Sequence, residues 1–304
     1  MLGDVCLETG RPEEAAAFYQ KALEYNPGRP DIIYNLLANT LYSLEKYAAA
    51  CSYYEKLLGF PGIDPELKHV IGLKMQSSRA RQELFENPVS FDPVNLGERI
   101  NTEADEYINS ISADGSGIFF TRRTRNTSGQ LKDFVEDFYF APISVDTLAY
   151  AVKLDYPPGK ENDAGAICIS PDGRLLVFTA CFRTDSRGSC DLYFSEKKGE
   201  TWTEAKNMGA HINSDLWDAQ PSISPDGRVL YFASNREGSM GSSDIWKTER
   251  TPAGGWTEPV NIGAPVNTPA AEMAPFLHYD NQSLFFSSHG HQGLGGADLF
   301  RSVR

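Results

Sequence analysis

Ser222–Phe232 reads SISPDGRVLYF, and variants of this string return three times. They are SISADGSGIFF at Ser110–Phe120, CISPDGRLLVF at Cys168–Phe178 and FLHYDNQSLFF at Phe276–Phe286. Each is a strand, a tight Asp-Gly turn (Asp280-Asn281 in the last copy) and a second strand with paired apolar residues, which is a hairpin signal. Downstream of each lies another strand opening on an aspartate: Asp137, Asp191, Asp244 and Asp298, which stand 54, 53 and 54 residues apart. GETWTEAKNMG at 199–209 and GGWTEPVNIG at 254–263 add a fourth, outer strand, closed by HINS or PVNT. Four short antiparallel strands at a fixed period predict β-propeller blades, since no such unit buries a core alone.

One piece is out of phase. VNLGERINT at 94–102 matches NMGAHINS and NIGAPVNT but precedes the first blade, and the last blade stops at Arg304 without an outer strand. Two arrangements satisfy this: the ends complete each other in a four-bladed ring, or further blades lie beyond Arg304. The β-domain is expected over residues 89–304.

Residues 1–88 read as a separate helical domain, rich in Ala, Leu, Glu and Tyr at helical spacing. A 34-residue repeat sets Ala15 against Ala49, Tyr19 against Tyr53 and Pro27 against Pro61, with Gly3 over Leu37. The pattern resembles the tetratricopeptide repeat, with Leu2, Gly3, Ala15, Tyr19, Ala22 and Pro27 matching in the first copy. Helix from Pro65 to Glu86 is expected to cap the stack. The resemblance implies a concave partner groove faced by Tyr34, Ala38 and Tyr42, although these residues serve equally well as packing. The repeat is already in progress at Met1, so sequence is expected upstream.

Lys and Arg number 28 against 41 Asp and Glu, a net charge of −13, which disfavours nucleic acid as a partner. No apolar run approaches bilayer length, and MLGDVCLETG has neither the basic nor the apolar part of a signal peptide. Cys181 and Cys190, with eight residues between them across a strand-to-strand loop, are candidates for a cross-strand disulfide, with Cys168 as competitor. The repeated aspartates read as structural. The Gly-rich loops NREGSMGSSD and SHGHQGLGGAD join strand to strand, whereas a phosphate cradle needs a following helix. His289 and His291 lack a third metal ligand. No nucleophile elbow or sialidase-type set is assignable. No catalytic residue, metal or cofactor is assigned.

ISPDG followed by DIW resembles the WD-like repeats of TolB-type propellers. CISPDGRLLVFTACFRTDSRGSCDLYFS, QPSISPDGRVLYFASNREGSMGSSDIW and APFLHYDNQSLFFSSHGHQGLGGADLF are closer still to a class of Gram-negative envelope proteins. These join tetratricopeptide repeats to such a propeller, often with a carboxypeptidase-regulatory-like domain and a C-terminal OmpA-like, peptidoglycan-binding domain; one member class anchors the type IX secretion machinery to the cell wall. The resemblance implies a non-enzymatic periplasmic scaffold, outer-membrane associated, that binds protein partners through its helices and propeller. Peptidoglycan would be reached only through a domain that this sequence does not contain. A glycan- or peptide-binding propeller, a degenerate hydrolase using Trp202, Trp217, Trp246 and Trp256 as stacking surfaces, is the alternative; Trp202 and Trp256 share a repeat position, which favours packing.

Overall fold

The computed structural model describes residues 2–25, 27–90, 92–112, 114–125, 134–144, 147–155, 157 and 164–304; Met1 lies outside them. The chain forms a helical unit within Met1–Phe91 and a β unit that takes in Asp92–His291 and Ala297–Arg304.

The helical unit holds α1 (Leu2–Glu8), α2 (Pro12–Glu24), α3 (Pro30–Ser43), α4 (Tyr47–Leu58) and α5 (Pro65–Glu86). Prolines open α2, α3 and α5 at positions where the helix leaves N–H groups unpaired anyway. Asp64 caps α5 by accepting from the N–H groups of Glu66 and Leu67. α1 packs on α2, α2 on α3, α3 on α4 and α4 on α5.

The repeat period in space is 35, not the 34 read from the sequence. Tyr19 is buried and donates to Asp4 at 2.6 Å. Its counterpart is Tyr54, buried and donating to Asn39 at 2.8 Å. Ala15 then matches Ala50, both without exposed surface, and Gly3 matches Ala38. The side chain of Tyr19 fills the space beside Gly3, where a Cβ would stand 2.5 Å from its ring. Adjacent alanines (49, 50) and tyrosines (53, 54) make the sequence register ambiguous by one residue; packing selects the second of each pair.

The β unit is a four-bladed propeller of antiparallel sheets. Blade 1 contains β1 (Asp105–Ile111), β2 (Gly117–Arg125), β3 (Phe134–Ser144) and the short outer pairs β4 (Thr147–Leu148) and β5 (Val152–Lys153). Blade 2 contains β6 (Ala164–Ile169), β7 (Leu175–Cys181), β8 (Cys190–Lys198), β9 (Thr201–Trp202) and β10 (Lys206–Asn207). Blade 3 contains β11 (Asp218–Ile223), β12 (Val229–Ser234), β13 (Asp244–Glu249) and β14 (Val260–Asn261). Blade 4 contains only β15 (Glu272–Leu277), β16 (Ser283–Ser288) and β17 (Asp298–Val303).

The Asp-Gly turns are built alike. Ser224 Oγ donates to Asp226 at 2.5 Å and accepts from Val229 N, while Asp226 accepts from Arg228 N. Ser170, Asp172 and Leu175 repeat the arrangement. The next residue takes the left-handed conformation in every copy: Gly115, Gly173, Gly227 and Asn281. Asn is among the few side chains that tolerate it, which explains Asn281.

The apolar core lies between blades. Phe138 of blade 1 packs with Ile167, Phe178 and Tyr193 of blade 2; Val177 and Leu192 pack with Leu230 and Phe232; Tyr231 and Ile245 pack with Leu277 and Phe286. Each fully buried side chain of this size contributes roughly 1.5–3 kcal/mol.

The outer-strand expectation for 94–102 is revised. Among the described residues this segment forms no strand and makes no backbone pairing with β17. It lies on blade 1, with Ile100 buried beside Ile118, Phe120 and Ala141 and its carbonyl accepting from Arg122.

Candidate functional site

The inner strands β1, β6, β11 and β15 surround a cavity of about 700 Å³ at the propeller axis. Each of the four carries an irregularity in its pairing with the next strand of its blade. Three of these bulges hold a non-glycine residue in the left-handed region: Ala166, Gln220 and Ala274. Their N–H groups leave the ladder and bond to side chains of the preceding blade. Ala166 donates to Thr121 Oγ1 at 3.2 Å, Gln220 to Thr179 Oγ1 at 2.9 Å and Ala274 to Gln220 Oε1 at 2.9 Å. Bulges aim backbone and side chains toward a site while ending regular pairing.

The cavity wall is mainly apolar and aromatic, with Tyr107, Ile108, Trp217, Pro221 and Phe276 exposed to it. Its acidic group is Glu136. Burial raises the carboxyl above the usual carboxylate range, and the charge of Arg123, opposite it in the β2–β3 register, works the other way. Gly165 makes room for Glu136: a Cβ there would stand 2.4 Å from Oε2. Cys181 and Cys190 line the cavity, are paired opposite each other across β7 and β8, and are joined by a disulfide. Cys168 is buried and its thiol is pushed up to about 12 by burial, so it has little thiolate for exchange. A wall of this kind suits an apolar or aromatic group inserted from outside.

The repeated polar positions are occupied by structure. Asp191 accepts from the N–H groups of Arg187 and Gly188 and from Asn207 Nδ2; Asp244 does the same with Met240, Gly241 and Asn261. Asp137 pairs with Lys153 at 2.6 Å. His291 bonds the Val266 carbonyl and packs on Phe286 and Phe300. Among the described residues, no three His, Cys, Asp or Glu side chains come together as metal ligands. Trp246 is buried, whereas Trp217 faces the cavity.

In the helical unit, the expected groove residues all take part in packing, and Tyr34 and Tyr42 stay half-buried. Ala38 has no exposed surface, being the close-approach residue that matches Gly3. Tyr34 packs on Tyr53 and Phe60, with ring centroids 6.0 and 5.7 Å away. Tyr42 stacks edge-on against Tyr47, and its hydroxyl lies 2.8 Å from Ser77 Oγ on α5. α5 packs on α4, as the expected capping helix, and reaches α3 through Ser77 and through Lys74, which donates to Asn39 at 2.5 Å. Exposed apolar side chains lie on α5, at Leu67, Val70 and Leu73, and also on α1 at Leu2 and Val5. The repeat strings contain Gln220, Pro221, Ala274 and Phe276 without marking them as cavity residues; the stretches around each SISPDG-type turn, once aligned, are the signal that points to them.

The chain matches the tetratricopeptide repeat family over residues 7–59. None of the curated proteins matches it. Among solved structures it is similar to the β-propeller domain of the Trilobed protease from Pyrococcus furiosus, at 10% identity and a TM-score of 0.35, over 61% of this chain and 48% of that one. It is also similar to a Mycobacterium tuberculosis puromycin-hydrolyzing peptidase, at 12% identity and a TM-score of 0.38, over 70% and 39%. A third is an α-L-arabinofuranosidase from Lactobacillus brevis, at 11% identity and a TM-score of 0.39, over 60% and 65%. The chain spans less than half the length of the first two. Tetratricopeptide repeats followed by a four-bladed propeller define the class: a protein built from two repeat architectures that commonly mediate protein interactions.

Proposed function

We propose that this chain is a non-enzymatic protein-interaction scaffold of the bacterial cell envelope, periplasmic and outer-membrane associated. The observation that carries the reading is the cavity at the propeller axis. Its wall is apolar and aromatic, and of the repeated aspartates Asp191 and Asp244 are bonded to backbone N–H groups and Asp137 to Lys153. Such a wall fits a side chain or extended segment of a protein partner, and the helical unit offers the exposed stripe of α5 as a second contact. The Cys181–Cys190 disulfide supports an oxidising compartment. Together with the repeat strings, this favours the envelope class that pairs tetratricopeptide repeats with a propeller. In a parent protein of that class an OmpA-like domain would supply peptidoglycan binding, and a type IX secretion assembly would be the setting.

The test is cross-linking in intact cells followed by capture of the full chain from envelope fractions. A defined protein partner should be recovered, and Trp217→Ala with Phe276→Ala should reduce its yield severalfold. Recovery of no specific protein, or of soluble glycan instead, would refute the reading. Fractionation with the cytosol and two free thiols at Cys181 and Cys190 would refute the compartment.

A further inference from the structure

The axial cavity holds one charge that the fold leaves unanswered. Among the described residues lining it, Glu136 on β3 is the single charged side chain. Its carboxyl is half-buried and feels burial and the charge of Arg123, and no hydrogen bond from a described residue reaches it. Arg123 is engaged elsewhere, with its guanidinium 4.1 Å from the centre of the Phe134 ring. Nearby carboxylates are paired: Asp137 with Lys153 at 2.6 Å, and Glu106 with Arg122 at 2.9 Å.

The surroundings of Glu136 select what can pair with it. Gly165 of β6 leaves the space that its Oε2 occupies. The rest of the wall is mainly apolar, with the rings of Tyr107, Trp217 and Phe276 on it. A half-buried carboxylate without a partner is costly, and a cation that arrives beside it offsets that cost. Aromatic faces attract cations as well. Lysine and arginine both carry an apolar stem below a charged head. Of the two, arginine is less strongly hydrated, stacks on rings and donates in a fork that matches both oxygens of a carboxylate. A volume of about 700 Å³ holds such a side chain together with its neighbours in an extended segment. The net charge of −13 draws basic partners from a distance.

We infer that the axial cavity admits an arginine side chain from an apolar segment of a protein partner, with the guanidinium forked onto Glu136 and the flanking residues against the aromatic wall. This rests on the scaffold reading for the nature of the occupant, and narrows it from any apolar insertion to a cationic one.

Calorimetric titration of the full chain with acetyl-Ala-Leu-Arg-Leu-Ala-amide tests it, beside the same peptide carrying citrulline, lysine or glutamate in place of arginine. Citrulline keeps the shape and removes the charge. The arginine peptide should bind roughly tenfold tighter or more than the citrulline one, and Glu136→Gln should abolish that preference. Gly165→Ala keeps the charge but sets a Cβ 2.4 Å from the present position of Oε2, so it should weaken the arginine peptide severalfold. Circular dichroism checks that each variant is folded, and Glu136→Gln carries the test where Gly165→Ala is not. No binding of the arginine peptide, equal binding of the citrulline peptide, tighter binding of the lysine peptide, or a preference that survives Glu136→Gln would overturn the inference. Capture from envelope fractions separates it from the scaffold reading. A partner held equally by the wild type and by Glu136→Gln would overturn the arginine site alone, whereas arginine-selective peptide binding with no captured partner would overturn the scaffold alone.

Discussion

Replacing Asn213 by alanine tests the clamp that ties the link from blade 2 to blade 3 onto β8. The side chain is buried and bonds Leu192 N, Leu192 O and Asn207 Oδ1. Two of the three partners keep another bond on removal: the Leu192 carbonyl retains Met208 N at 3.0 Å, and Asn207 Oδ1 retains Gly209 N at 2.7 Å. Leu192 N–H loses its partner. One buried orphan donor costs about 1–3 kcal/mol, or roughly 2–12 °C for a unit of this size. Asn267→Ala should cost the same, since Ile245 is held in the same way. Asn101→Ala, at the same repeat position, removes an oxygen that has no partner. It should change stability by less than about 0.5 kcal/mol. Thermal and urea unfolding followed by tryptophan fluorescence reads all three. An equal loss for Asn101→Ala and Asn213→Ala would refute the reasoning, because the same side chain would then matter with and without its clamp.

Gly3→Val should destabilise the helical unit by about 1–3 kcal/mol through overpacking against Tyr19. Gly72→Ala, in α5 with open space around it, should add about 0.5–1 kcal/mol. Far-UV circular dichroism melts of the two variants should move in opposite directions. Reduction of Cys181–Cys190, or its replacement by serines, should cost the propeller about 2–3 kcal/mol for so short a loop; an unchanged melt in reductant would contradict this. Asp114, Asp172, Asp226 and Asp280 are all held below the usual carboxylate range, chiefly by the hydroxyl bonds of Ser116, Ser170, Ser224 and Ser283. Their folded-state values are depressed, so their contribution is complete above the unfolded value near 4 and is lost as pH falls below it. Ser224→Ala should therefore lower propeller stability at pH 7 and flatten its loss as pH falls below about 4; a parallel shift at all pH values would sink the assignment.

The blades were legible because Asp-Gly turns need a left-handed residue, and few residue types supply one. The helical repeat was legible as a class but not in register. Ala49 and Ala50, or Tyr53 and Tyr54, match the pattern equally until packing against α3 selects one. Of the residues expected to face a groove, Ala38 is buried while Tyr34 and Tyr42 are half-buried, because how open a helix face is depends on the contacts that the capping helix α5 makes with it. The cavity was hidden because bulges at Ala166, Gln220 and Ala274 have no characteristic residue type. Glu136 enters the cavity only through the register of β2 with β3 and the gap at Gly165.

The bulge bonds have a mechanical consequence. Ala166 is tied to Thr121, Gln220 to Thr179 and Ala274 to Gln220, so Gln220 both gives to the blade before it and receives from the blade after it. Apolar faces slide past one another at little cost, but a directed bond does not. The hub is therefore laced from within, and tension on blade 4 passes inward through Gln220 before it reaches the packed layers. A wedge driven into the axis would load that lacing in series, and Gln220, bonded to blades 2 and 4 alike, would carry load from both.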